Sequence, residues 1–141
     1  MREIKLRGWH TSRKVMFFAE EMATDQLALL PTGNFINVSG DSTRLSIIYP
    51  RDKFIPLQYT GLHDKNGVEI YEGDIIQMAG KDRQPRWGIV WHENGWQMKL
   101  VWIKGHLPEH YYVKLSSDRV IEFDEVIGNI YENPDLLETK E

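Results

Sequence analysis

The chain has 141 residues, with 17 basic and 21 acidic side chains for a net charge of −4, and no cysteine. The missing cysteines exclude disulfides, thiolate-held zinc, iron–sulfur clusters and thiol nucleophiles, and the acidic balance argues against a chain given over to nucleic-acid binding. The length suits one domain over residues 1–141 with a short tail from about residue 133, since domains of about 100–150 residues are common.

In chain order, Ile4, Leu6 and Gly8 alternate with Glu3, Lys5 and Arg7, the period-2 pattern of a half-buried strand. Gly8 adds no side chain, so Ile4 and Leu6 are expected to anchor it. His10 to Arg13 reads as a turn and Lys14 to Phe18 as the returning strand. Residues 19–30 are rich in helix formers, which predicts a short helix capped by Thr24 or Asp25 and ended by Pro31 and Gly33. Phe35 to Val38 and Leu45 to Tyr49 read as strands around a turn at Gly40-Asp41-Ser42. Phe54 to Tyr59 is extended, but Pro56 lacks a ladder donor, which predicts an edge or an irregular segment.

His63-Asp64-Lys65-Asn66-Gly67 is a turn signal, with Asn-Gly supplying the positive φ of primed hairpin turns. Glu72-Gly73-Asp74 is a second tight turn, leading into Ile75 to Met78, and Ala79 to Pro85 is a polar loop. Arg86 to His92 and Trp96 to Ile103 are aromatic and β-branched runs flanking Glu93-Asn94-Gly95, which predicts a β-hairpin. Residues 104–119 begin as a loop, Val120 to Phe123 and Val126 to Tyr131 read as extended, and Pro134 suits the first turn of a terminal helix carrying Leu136 and Leu137. Many short strands separated by turns predict a mainly β fold, a small single-domain barrel or sandwich with one or two short helices.

Candidate chemistry is sparse. His106 and His110 have helical metal-ligand spacing, but Pro108 between them would break such a helix, and no third ligand is evident. His63-Asp64 and His92-Glu93 are neighbours, which in a strand point to opposite faces and form no dyad. No nucleophile elbow, P-loop or dinucleotide fingerprint is present, so neither catalytic residues nor a cofactor are expected. Trp87 and Trp91 share strand parity, as do Trp96 and Trp102 on the partner strand. These rings serve either cross-strand packing or, with Arg83 and Arg86 beside them, an exposed stacking platform for single-stranded nucleic acid.

Three segments stand apart: MREIKLRGW at residues 1–9, TGLHDKNGVEIYEGDI at 60–75 and VIGNIYENPDLL at 126–137. Together they resemble the YopX family of bacteriophage and prophage proteins, across essentially the whole chain. The family usually has Lys where this chain has His63, and often Asp where it has His10. The resemblance implies a phage-encoded cytoplasmic accessory protein with self-association plausible, and it implies no chemistry. Within the motif, Gly61, Gly67 and Gly73 stand where the chain must turn tightly, Asp64, Asn66 and Asp74 can bond their own turns, Leu62, Val68, Ile70 and Ile75 supply burial, and Tyr71-Glu72-Gly73-Asp74 before an apolar run reads as a turn into a strand. Gly128 and Asn129 mark the third segment. The acidic residues are too sparse for a calcium loop.

The first fourteen residues are basic, with Arg2, Lys5, Arg7, Arg13 and Lys14 against Glu3, whereas residues 118–141 are predominantly acidic. The expected role is a non-catalytic β-rich interaction or self-assembly module, partnered by itself or by a phage or host protein. The alternative is a nucleic-acid-binding module on the aromatic hairpin, and the third reading is a hydrolytic enzyme without a recognisable motif. No membrane partner is expected, because apolar runs such as Leu27 to Leu30 are far too short to cross a bilayer. The charged, alternating N-terminus has no signal-peptide core, so a cytoplasmic location is expected.

Overall fold

The structure, a computed structural model, describes residues 3–38, 47–80, 84–106, 108 and 110–137. These residues are mainly β, with two short α-helices. The chain packs into two compact units, one made by Ile4–Gln58 and the other by the residues from Tyr59 onward. No helix among the described residues is long and apolar enough to cross a membrane.

In the first unit, β1 (Leu6–His10) pairs antiparallel with β2 (Val15–Phe17) and with the first half of β6 (Phe54–His63). The strand starts later than the alternation suggested. Ile4 is 76% exposed, while Arg7 and Trp9 are buried. Leu6 does pack on the core, but both faces of β1 are covered, so the simple inside–outside alternation fails. Gly8 lies under the Phe54 ring, and a Cβ there would collide with Phe54 Cε1. Pro56 pairs with Gly8 in the part of β6 whose register with β1 is unbroken, from Phe54 to Gln58, rather than in an irregular piece. The strand tolerates it because β7 pairs with β6 only from Tyr59 to His63, leaving a single neighbour alongside Pro56.

The predicted helix over 19–30 is only half there. Helix α1 spans Ala19–Thr24, with Asp25 at its C-terminal end rather than its start. Gln26 then takes φ 58°, which reverses the chain, and Leu27–Leu29 becomes strand β3. It pairs with β4 (Phe35–Asn37), which pairs with β5 (Ile47–Tyr49). The good helix formers of Leu27-Ala28-Leu29 are overruled by this ladder. Met22, Phe35 and Phe54 form the core of the unit, with Leu6, Phe17, Leu27 and Tyr49 packed against them. The turn expected at Gly40-Asp41-Ser42 lies outside the described residues.

In the second unit, the latter half of β6 pairs with β7 (Glu69–Tyr71), across the turn at Asp64 to Gly67. Gly67 alone takes a positive φ there, 81°, and Asn66 does not, so this is not a primed turn. Gly67 N–H donates to Asp64 C=O at 3.0 Å. A five-stranded antiparallel sheet follows, in the order β11-β10-β9-β8-β12, from β8 (Asp74–Met78), β9 (Arg86–His92), β10 (Gly95–Trp102), β11 (Tyr112–Lys114) and β12 (Asp124–Asn129). The β9–β10 hairpin turns at Glu93 and Asn94, with φ 48° and 64°, and Gly95 already pairs with His92. Two successive positive φ values match the twist of the flanking strands.

Val120 to Phe123, expected as extended, belongs to helix α2 (Ser117–Phe123). Asp118 in the first turn suits the positive end of the helix dipole. One helical turn buries Val120 completely and leaves Glu122 and Phe123 at the surface. Val120 joins Ile70, Ile76, Trp87, Ile89, Met98 and Leu115 in the core of the unit. The tail forms a 3₁₀ turn at Pro134–Leu137, beginning at the proline as read from the sequence.

Gly73 joins two parts of this unit. Its φ is 87°, its N–H donates to Ile89 C=O, and its C=O accepts from Ile130 N–H, each at 2.9 Å. A Cβ would also stand 2.8 Å from Tyr131 Cε2. Gly73→Val is expected to lower stability by about 1–3 kcal/mol. At Gly61, where φ is 87° but nothing lies within 4 Å of a Cβ, Gly61→Ala is expected to cost less. Urea unfolding of the two variants checks both the size and the order.

Candidate functional site

The motif residues converge on turns. Asp64 is 3% exposed, and its carboxylate accepts from three backbone N–H groups: Asn66 at 2.8 Å and Val68 at 2.9 Å on Oδ1, and Val126 at 2.9 Å on Oδ2. The last comes from β12, an edge strand. In return Lys65 N–H donates to Asp124 C=O at 3.1 Å, and the Asn66 amide reaches Glu125 Oε2 at 3.4 Å. The turn therefore closes the open edge of the sheet, which would otherwise present unpaired backbone groups.

Asp74 does comparable work one turn later, taking Tyr71 N–H on Oδ2 at 2.7 Å, with half-buried Glu72 and buried Gly73 between them. Gly61 takes φ 87° within the irregular stretch of β6 between Tyr59 and His63. Beside it Thr60 Oγ1 donates to Ile70 C=O at 2.8 Å and accepts from Leu62 N–H at 3.2 Å. Leu62 packs against the core, and Tyr71 is buried with its ring 5.4 Å from that of Tyr59. Asn129 Oδ1 accepts from Tyr131 and Glu132 N–H, while Asn133 Oδ1 accepts from Asn129 N–H. A Cβ on Gly128 would lie 2.5 Å from Asn133 Oδ1 and 2.9 Å from Leu136 Cδ1, so only glycine lets the tail approach. These groups satisfy backbone donors.

The aromatic hairpin does not gather its four rings on one exposed face. Trp87 is 8% exposed and belongs to the core. Trp91 is 53% exposed and meets Trp96 edge-on across the strands at 5.1 Å, while Trp96 also packs against the core. A bulge between Leu100 and Trp102 shifts the register, so that Leu100 opposes Trp87 but Trp102 opposes Arg86. The parity argument that joined Trp96 to Trp102 fails at this inserted residue. Trp102 instead lies under the Arg86 guanidinium at 4.4 Å, and Arg86 Nη1 donates to Leu136 C=O at 2.8 Å. Arg83 lies outside the described residues. His106 and His110 are both exposed, and no cluster of three metal-ligating side chains occurs among the described residues.

The profile of the YopX protein family matches residues 5–138. The chain belongs to the YopX family. Its structure resembles the crystal structure of protein EF1440 from Enterococcus faecalis, with a TM-score of 0.67 and 25% identity over 98% of this chain and 100% of that one. It also shares the fold of yopX from Bacillus subtilis, with a TM-score of 0.58 and 15% identity over the full length of both chains. No curated protein matches.

Two features of this YopX-family chain escaped the sequence reading. The first is Asp124, which is fully buried at the end of α2. Arg119 Nε stands 3.2 Å from its Oδ2, and the same guanidinium lies 5.6 Å from the centre of the Trp87 ring. Neither carboxylate oxygen accepts an aligned hydrogen bond among the described residues. Burial pushes the Asp124 carboxyl above the usual range, and the Arg119 charge opposes this only in part. The periodicity gave no hint, because Asp124 was read as the gap between two strands. The second is the outer face of the β3–β4–β5 sheet, hidden by the mistaken helix. There Ala28, Ile36 and Ile48 pair in register.

A raised carboxyl pKa means that the folded state binds the proton more tightly than the unfolded chain. Asp124 therefore contributes stability that is present below its ordinary pKa of 3.8 and is lost as pH rises through the raised value. Asp124→Asn removes this titration. The stability of the variant relative to wild type is expected to be most favourable at neutral pH and to decline as the pH is lowered toward 4. Urea unfolding of both proteins across that range measures the difference, and a constant gap would contradict the assignment.

Proposed function

We infer that this chain is a non-catalytic β-rich interaction module, a phage- or prophage-encoded accessory protein that assembles with itself. The family resemblance is what supports the phage origin. The self-association reading rests on one observation, the apolar outer face of the β3–β4–β5 sheet. Ala28, Ile36 and Ile48 form one row across the three strands. Val38 follows Ile36 by two residues, and its N–H continues the ladder by donating to Gln26 C=O at 2.7 Å. Ile48 is 55% and Val38 49% exposed, Ala28 is exposed and Ile36 half-buried. Opposite parity sends Leu27, Phe35 and Tyr49 to the core.

Single exposed aliphatic residues are ordinary, but a contiguous row on a regular sheet face is the kind of surface that a second layer covers. A second copy of this chain is the occupant that fits. The row carries no ionisable group, so nothing on it selects a charged partner or repels its own image, and a two-fold axis brings the same row to itself.

Sedimentation equilibrium tests the reading. Wild type is expected to dimerise with rising concentration. Ile48→Asp is expected to weaken the dimer by at least about tenfold, since both copies lose an apolar contact, while leaving the far-ultraviolet circular dichroism and melting temperature unchanged. A wild type that stays monomeric, or an association indifferent to Ile48→Asp, would contradict it.

A further inference from the structure

The five-stranded sheet of the second unit has a face that the core does not use. On β9, β10 and β11, Ile89, Met98 and Val113 turn to the core, so Val90, Gln97, Lys99, Tyr112 and Lys114 turn the other way. Register sets them side by side. Gln97 stands between Val90 and Lys114, and Lys99 opposes Tyr112. Lys114 is exposed and the other four are half-buried.

Two features distinguish this face. The first is a parallel stack: the His92 and Tyr112 rings lie 3.9 Å apart with 9° between their planes. Other ring pairs, such as Phe17–Phe54 and Tyr59–Tyr71, are tilted, and Trp91 meets Trp96 edge-on. A parallel stack is the arrangement that a further flat ring can continue, and the His92 side chain is 37% exposed. The second is positive charge. Lys99 Nζ stands 6.0 Å from the Tyr112 ring centre. Lys114 is the diagonal neighbour of Lys99 on the next strand, a separation of about 7–8 Å. Neither lysine has a carboxylate partner among the described residues. Residues 83–117 hold five Lys or Arg against Glu93 and Glu109, in a chain of net charge −4. Glu93 sits at the hairpin turn, 3.7 Å from His92 Nε2, and Glu125 joins this face only from β12 at the opposite edge of the sheet.

We propose that this face binds single-stranded nucleic acid. An unpaired base continues the His92–Tyr112 stack, and Lys99 and Lys114, at a spacing close to that of successive phosphates on an extended strand, take the backbone. A duplex keeps its base faces covered and cannot add to the stack. The tryptophans that the sequence singles out do not carry this site, because Trp87, Trp91 and Trp96 have the parity of the opposite face. The site belongs to the second unit and the apolar row of β3–β4–β5 to the first, so either reading can fail without the other.

Fluorescence anisotropy with the full chain tests the proposal, using a short labelled oligothymidylate, an oligouridylate and a duplex of the same length. At least one single strand is expected to bind, and the stronger of the two identifies DNA or RNA as the source. With two phosphates neutralised, the logarithm of the affinity should fall with the logarithm of salt concentration at a slope of about −1.4, and Lys99→Gln or Lys114→Gln should each reduce that slope by about 0.7. His92→Ala should weaken binding by about fivefold or more through the lost stack, whereas Trp91→Ala, on the opposite face, should leave it unchanged. Lys114 is exposed, so its variant should keep the wild-type melting temperature and reports even if a ring variant does not fold. The proposal is overturned if neither strand binds at high micromolar protein in low salt. It is also overturned if the duplex binds as tightly as the single strands, or if binding is indifferent to both Lys114→Gln and His92→Ala.

Discussion

Three backbone N–H groups end on the buried carboxylate of Asp64, two from its own turn and one from Val126 on β12. The third bond makes a local turn into a long-range constraint, because it joins residues 62 positions apart in the chain. Hydrogen bonds to an ionised acceptor contribute about 1.5–3 kcal/mol each, and a buried N–H left without its acceptor bears the full cost of desolvation. A side chain at one position thereby holds the turn after β6 against the edge of the five-stranded sheet. It also sets where Asp124 and the end of α2 must lie, since Lys65 N–H bonds the Asp124 carbonyl from the same turn.

The other motif residues extend the same logic. Gly73 lets the turn into β8 approach both Ile89 and Ile130, and Gly128 lets Asn133 and Leu136 close over β12. Asn129 then gathers the N–H groups of the turn that starts the tail. The motif glycines supply close approach or positive φ, and the motif Asp and Asn residues supply acceptors. With that division the segment decides how the sheet of the second unit begins and ends. Asp124 is the exception, a charge the fold buries beside Arg119 without aligned hydrogen bonds.

Local chemistry in the sequence was legible where local chemistry decides. The β9–β10 hairpin follows from aromatic strands around Glu93-Asn94, and the mainly β class follows from the number of such runs. The turn residues of the motif were recognisable as turn residues, but the destination of the Asp64 carboxylate was not, because Val126 lies far along the chain. Leu27-Ala28-Leu29 reads as helix by propensity and is a strand because β4 pairs with it. Val120 and Ile121 read as strand by their branching and sit in a helix because one turn suffices to bury Val120. The bulge before Trp102 is a single inserted residue with no signature of its own, yet it removes a ring from the face that strand parity assigned to it. The apolar row of Ala28, Ile36 and Ile48 became visible only once β3 was known to be a strand.

The central claim is that Asp64 holds the edge of the second unit, and native-state hydrogen exchange reads it amide by amide. In wild type, the Val68 and Val126 amides should exchange nearly as slowly as core amides of β9 and β10. In Asp64→Ala those two amides should lose protection selectively while the β9–β10 ladder keeps most of its own. Fast exchange at Val126 in wild type, or a uniform loss across both regions in the variant, would contradict the account.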